Sequence, residues 1–270
     1  MRIKSIILAA LMVMAFSMTA SATSMTVKGS TTVLPIMQKA VEAYMKANPG
    51  ISISVSGGGS GNGIKAIIDG STDIAMASRF MKDKEVKLAM EKGVYPVPFA
   101  VGIDALVPVV HPSNTVAGLT RAQLKDIYQG KITNWKDLGG IDKKIVVISR
   151  DTSSGTYETW EGKIMKKERV FAGALLQASN GAVVQAVSKN KYAIGYIGYG
   201  YLDKSTKALT VDGIEGNPET ASSGKYPVSR FLYVFTKGWP KGETAKFIMY
   251  LLHPKYGQAH AKAAGYVPLY

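Results

Sequence analysis

In TTVLPIMQKAVEAYMKANPG the apolar residues Val33, Ile36, Met37, Ala40, Val41 and Tyr44 recur at the spacing of one helix face. The pattern predicts a helix capped by Thr31 or Thr32, with Pro35 in its first turn and NPG as its stop. Directly after it, ISISVS alternates with period two, as a strand does. GGGSGNG then reads as a loop, IKAIIDG as a short helix and DIAMAS as another strand. In LTRAQLKDIYQG, Thr120 followed by Gln123 makes a capping-box pattern. KIVVIS is a strand, and GAVVQAVSKN is a helix followed by the strand YAIGYIG. Helix and strand patterns alternate from end to end, which predicts an α/β fold with mostly parallel sheet.

No repeat and no low-complexity linker divides the chain. Two long extended stretches stand out instead, YPVPFAVGIDALVPVV (95–110) and GKYPVSRFLYVFTKG (224–238). If both cross between lobes, residues 25–100 plus 232–270 form lobe I and residues 101–231 form lobe II. Two lobes joined by paired extended crossovers make a hinge with a cleft.

The first residues change the cellular picture. MRIK is a basic leader start, SIILAALMVMAF an apolar segment, and Ala20-Ser21-Ala22 a small-x-small cleavage site. The apolar segment is short for a spanning helix of ~20 residues, so residues 1–22 read as a signal peptide. The mature chain is expected to begin near Thr23 and to be exported. It contains no cysteine, hence no disulfide and no cysteine to carry a lipid, which points to a free periplasmic protein. The formal charge is +14, or +12 once Arg2 and Lys4 leave with the leader. The lysines are scattered, as in MKDKEVKLAMEKG, and read as solvated helix faces. With export, this argues against a nucleic-acid partner; a positive field can instead concentrate a small anion.

Three loops share one composition: GSTTVLP (29–35), GGGSGNGIK (57–65) and RDTSSGTYE (150–158). Each follows a predicted strand and opens a predicted helix. The first N–H groups of a helix lack an internal partner and carry the positive end of its dipole, so such ends attract anions. Taken singly, Ser and Thr there act as caps and the glycines as turns. Three converging with an arginine would surround a tetrahedral oxyanion with donors. Catalytic alternatives lack their residues. After Gly63 comes Ile64, with Lys65 one place late for a P-loop, and neither G-x-G-x-x-G nor G-x-S-x-G occurs. His111, His253 and His260 have no cysteine or evident carboxylate partner, and Ser154 has no evident base. No cofactor, metal or catalysed reaction is expected.

The pieces GSTTVLP, GGGSGNGIKAIIDGSTDIAMASR, LTRAQLKDIYQGKITNWKDLGG, SRDTSSGT, YAIGYIGYGYL and YPVSRFLY, in this order, span nearly all the mature chain. Through them the chain resembles the phosphate-binding proteins of bacterial phosphate ABC transporters, in the type II periplasmic binding protein family. The resemblance implies two α/β lobes, each a mostly parallel sheet flanked by helices, closing on dehydrated phosphate, and a membrane ABC permease as partner. It implies Ser30, Thr31 and Thr32 as donors from the first loop, and Ser60 with the Gly61 amide from the second. From the third it implies Arg150 as the charged ligand, with Ser154, Gly155 and Thr156 at a helix start. Many relatives have Ala-Ser-Asp where this chain has Ala77-Ser78-Arg79, and that aspartate accepts the ligand's proton. Ser78 and Arg79 are therefore carried as site positions, and Asp151 becomes the candidate acceptor. A monomer is expected. The competing readings are a receptor for sulfate, molybdate or tungstate, and an exported phosphatase.

Overall fold

The computed structural model describes residues 23–270; the expected leader and cleavage site lie outside the described residues. The first strand, β1 (Thr23–Gly29), pairs in parallel with β2 (Ile51–Gly57) and β3 (Ile74–Ala77). Between them run helices α1 (Leu34–Ala47) and α2 (Ser60–Ile68). All six residues of the apolar stripe, from Val33 to Tyr44, are buried. Helix α3 (Asp83–Glu91) then leads to the 14-residue strand β4 (Val97–Val110).

The middle of the chain builds a second set of the same kind. It comprises β5 (Gly118–Leu119), α4 (Arg121–Tyr128), β6 (Val146–Arg150), α5 (Gly155–Lys163), β7 (Leu175–Gln177), α6 (Asn180–Ser188) and β8 (Ala193–Gly198). Short strands β9 (Lys207–Ala208) and β10 (Thr210–Val211) and helix α7 (Pro218–Ser222) follow. Strand β11 (Ser229–Thr236) returns to the first set, and α8 (Gly242–Leu252) and α9 (Gly257–Ala263) close the chain. The main sheet runs β2-β1-β3-β11-β4-β8-β6-β7, with β9 also on β4. Pairing is parallel within β2-β1-β3 and β8-β6-β7 and antiparallel where β11 and β4 join them.

Two cores flank that central pair. One packs Met25, Val27, Ile36, Met37, Leu232, Val234 and Phe247. The other packs Leu106, Val107, Tyr128, Trp135, Trp160, Tyr196 and Val228. A smaller cluster of Ile64, Ile67, Ala75 and Phe235 lies under α2 and α3. Strand β4 contributes Val101 to the first core and Ala105 to the second, so the changeover falls within a few residues. Each core alone has the apolar content of a small domain, and the extended β4–β11 ribbon serves both. The C-terminal segment also touches both, with Tyr266 in the first core and Val267 packed against the second.

Local signals differ from expectation in two places. Neither Thr31 nor Thr32 caps α1; the Ser30 hydroxyl accepts from the N–H groups of Thr32 and Val33 at 3.1 and 3.4 Å. The chain leaves β1 through Gly29 at φ 137°, a conformation open to glycine, which swings Ser30 into that place. Helix α2 starts at Ser60, inside the stretch read as loop, because burial of one face through Ser60, Gly63, Ile64 and Ile67 outweighs the low helix propensity of its glycines. The Thr120–Gln123 capping box is formed, with reciprocal bonds of 2.8 and 3.1 Å.

Candidate anion-binding site

The three loops all connect a strand end to a helix start: β1 to α1, β2 to α2 and β6 to α5. They meet at the junction of the two cores. The Gly61 N–H donates to the Ser153 carbonyl at 2.8 Å, and the hydroxyls of Thr32 and Thr156 lie 2.9 Å apart. A Cβ on Gly59, at φ 99°, would lie 2.9 Å from the Ser153 carbonyl oxygen, and one on Gly155 would lie 2.3 Å from the Ser60 hydroxyl. Glycine is required at both because two backbones approach so closely.

Of the expected residues, Ser30, Thr31, Thr32, Ser60, Ser78, Arg150, Ser154 and Thr156 are all buried here. Buried hydroxyls and guanidinium groups need partners, and most are supplied locally. Ser60 accepts from the Ser78 N–H at 3.0 Å, and the two hydroxyls lie 3.3 Å apart. Ser154 caps α5, accepting from Thr156 and Tyr157 N–H at 3.2 and 3.3 Å. Arg150, at the C-terminal end of β6, is 1% exposed. Its Nε and Nη2 donate to the carbonyls of Gln177 and Ala178 at 2.9 and 3.0 Å, and Nη1 reaches the Thr31 hydroxyl at 3.5 Å. Burial pulls its pKa down, opposed chiefly by the charge of Asp151, whose carboxylate lies 3.8 Å away. Asp151 itself accepts from the N–H of Ser153 at 2.9 Å and from its hydroxyl. It shares a cavity of about 430 Å³ with Thr31, Gly58, Asn62, Ser153 and Ser179.

Arg79 is not brought in with the others. Its guanidinium turns to the rim, where Nη1 and Nη2 each bond Glu85 at 2.7 Å and Nε pairs with Glu158. Glu85 and the Phe80 carbonyl take the hydrogen bonds of its terminal nitrogens, while Nε lies against Glu158 as a close charge contact without a hydrogen bond, and none of its bonds goes to Thr31 or Arg150. The sequence reading also missed three residues. Asn180, the first residue of α6, donates to the hydroxyls of Thr31 and Thr32 at 3.1 and 3.0 Å. Arg230 on β11 reaches the hydroxyls of Thr32 and Thr156 at 3.3 and 3.1 Å. Asp104 on β4, fully buried, accepts from Arg230 at 2.8 and 3.0 Å and from the Tyr199 N–H at 2.9 Å. Burial pushes the Asp104 carboxyl above its ordinary value, against the opposing pull of Arg230. A lone acid inside AVGIDALVPVV and an arginine inside SRFLYVF were the available signals.

These contacts fix which way each hydroxyl proton points. Gly198 donates to Asn180 Oδ1 at 3.2 Å, so Nδ2 faces the threonines. Thr32 Oγ1 receives protons from Asn180 and Arg230, and its own proton goes to Thr156. Thr156 receives from Thr32 and Arg230, and Thr31 from Asn180 and Arg150. Both are left with a proton to give and no lone pair to offer. With the first-turn amides of Ser60 in α2 and Gly155 in α5, this wall can bind oxygen atoms that carry negative charge. Among the described residues no group of three or more His, Cys, Asp or Glu side chains could hold a metal ion. His260 is paired with the Tyr250 hydroxyl at 3.0 Å, and His111 with Ser113 at 2.7 Å.

A family model described as a PBP superfamily domain matches residues 17–255. The phosphate-binding protein PstS of Bacillus subtilis (strain 168) is 31% identical over 247 residues, covering 91% of this chain and 81% of that protein. PstS of Staphylococcus epidermidis (strain ATCC 12228) is 35% identical over 254 residues, with 89% and 77% covered. A Clostridium perfringens protein, described as a phosphate ABC transporter substrate-binding protein and solved with bound phosphate, has a TM-score of 0.85 at 35% identity. The similarity covers 92% of this chain and 100% of that one. A Vibrio cholerae ABC-type phosphate transport receptor gives a TM-score of 0.73 at 33% identity, over 90% and 99% of the two chains.

Proposed function

The chain belongs to the PBP superfamily and, within it, to the PstS phosphate-binding proteins, and from that premise we propose that it is the phosphate receptor of an ABC transporter. Residues 25–100 with 232–270 act as one lobe and residues 101–231 as the other. The β4–β11 ribbon is the hinge, and closure traps inorganic phosphate where the three loops meet. The observation that carries this reading is the meeting of donors from both cores around buried Arg150, with Thr31 and Thr156 left only protons to offer.

Arg150 supplies the formal positive charge. The hydroxyls of Thr31, Ser60 and Thr156 and the first-turn amides at Ser60 and Gly155 supply neutral donors, whereas the Gly61 amide, expected as a donor, is spent on the Ser153 carbonyl and ties the two loops together. Ser30, Thr32, Ser78 and Ser154 hold these loops in shape through the bonds described above, and Asp151 accepts the proton that phosphate retains near neutral pH. A hydrogen bond to a charged group contributes about 1.5–3 kcal/mol, and a buried anion needs several to offset its lost hydration. The receptor works as an exported, periplasmic monomer that hands phosphate to a membrane permease, and it catalyses no reaction. Its leader is cleaved near Thr23.

Calorimetry of ligand-stripped protein with phosphate, sulfate, molybdate and tungstate tests the assignment. Phosphate is expected to bind tightest. Sulfate winning in the unmutated protein overturns it, and turnover of a generic phosphoester would overturn the non-catalytic reading.

A further inference from the structure

We propose that Arg79 and Glu158 form a clasp across the mouth of the cleft, positioning α5 over the ligand without touching it. The proposal rests on the two-lobed receptor reading above. Arg79 follows β3 and belongs to the first core's side; Glu158 lies in α5, three residues beyond Gly155 of the anion loop. The Arg79 fork holds Glu85 through two bonds of 2.7 Å. Glu85 in turn accepts from the Lys82 N–H at 2.8 Å, closing the first turn of α3. The guanidinium is therefore fixed by its own lobe, and its Nε edge faces Glu158 across the gap as a close charge contact rather than a hydrogen bond. Lys82 Nζ reaches the other Glu158 oxygen at 3.1 Å.

Two features separate this from an ordinary surface ion pair. The side chains of Arg79 and Glu158 are 10% and 12% exposed, so water screens them poorly. Arg79 is also held before Glu158 arrives, so little further side-chain entropy is lost when the two meet. Two positive and two negative groups then balance at the rim. Separation of the lobes would leave Arg79 paired with Glu85 and return Glu158 to water, so the contact adds to the closed form alone. It also accounts for an arginine at a position where the resemblance implies an aspartate on the ligand: the side chain serves closure from outside the site.

The test uses Glu158→Gln, which keeps the shape and leaves Arg79–Glu85 untouched, alone and with Arg79→Met. Stopped-flow release and calorimetry are run with inorganic phosphate at low and high sodium chloride. Wild-type release is expected to quicken with salt. Glu158→Gln should release phosphate about three- to tenfold faster, with unchanged association, little salt dependence and an unchanged melting temperature without phosphate. Because Lys82 still holds Glu158 in Arg79→Met, the double variant should lose more than Arg79→Met alone but clearly less than the sum of the two single effects. Release at the wild-type rate in Glu158→Gln, or fully additive effects in the double variant, would overturn the clasp. Failure of the wild type to bind phosphate at all would instead sink the receptor reading on which it rests.

Discussion

Replacing Asp151 by Asn separates an acceptor from a scaffold. One carboxylate oxygen, Oδ1, is occupied by the N–H and hydroxyl of Ser153. The other, Oδ2, lies 3.8 Å from Arg150 Nη2 in the cavity shared with Thr31. An asparagine keeps the Ser153 bonds by placing its carbonyl at Oδ1, which puts its NH₂ where Oδ2 was. A ligand oxygen that carries a proton then faces a donor, whereas a fully ionised one gains a donor. A charge-assisted hydrogen bond contributes about 1.5–3 kcal/mol, and the side chain is 37% exposed, so the lower end applies. At 1.4 kcal/mol per factor of ten, the preference for phosphate over sulfate should fall about tenfold. Competition calorimetry of both anions against both proteins near neutral pH reads this ratio directly. Equal weakening for the two anions would refute the reasoning and reduce Asp151 to an orienting partner of Arg150.

The other expectations can be checked with the same equipment. Arg150→Ala removes the buried cation and leaves the Gln177 and Ala178 carbonyls without their donor, so binding should weaken by about 3–5 kcal/mol while circular dichroism keeps the native fold. Gly155→Ala places a methyl 2.3 Å from the Ser60 hydroxyl and 2.7 Å from that of Ser78. The clash exists only where the two sides meet, so affinity should drop by about 1–3 kcal/mol with the ligand-free melting temperature preserved; a matching loss of stability would place the cost in the fold instead. Burial pushes the Glu85 carboxyl up, but the Arg79 bonds and the Lys82 N–H outweigh it, and its pKa ends below 4.5. A lowered carboxylate pKa stabilises the fold above the unfolded value and loses that contribution as pH falls through the folded one. The melting-temperature gap between wild type and Glu85→Gln should therefore shrink from about pH 6 to about pH 3; a constant gap would count against it.

How much of this was legible from sequence depends on the range of the interaction. The α1 stripe and the Thr120 capping box involve residues within a few positions of each other, and both formed. The three strand–loop–helix connections are equally local, so the donors at Ser60, Gly155 and Thr156 could be picked out singly. Arg230 and Asp104 could not be paired that way. They face each other because β11 and β4 run antiparallel in a register that sets Arg230 opposite Asp104, across 126 positions of chain. Asn180 likewise depends on where α6 lands against the first loop. The position of Arg79 beside the site was readable; its direction was not, since Glu158 reaches it only after the two cores meet.

Charge balance then limits what the site can hold. Two buried arginines lie near the three loops, but Arg230 is spent on Asp104, leaving Arg150 as the cation whose charge is only partly offset by Asp151. One guanidinium cannot neutralise a dianion. The remainder must come from oriented neutral groups: the dipoles at the starts of α1, α2 and α5, each equivalent to roughly half a charge, and hydroxyls whose protons are already aimed. Such groups are set in place by folding and need little reorganisation when the ligand arrives. Mobile salt competes weakly with fixed dipoles in a closed cavity and more strongly with charges at its mouth. Salt sensitivity should therefore enter through the rim, at Arg79, Lys82 and Glu158, rather than through the groups that hold the anion.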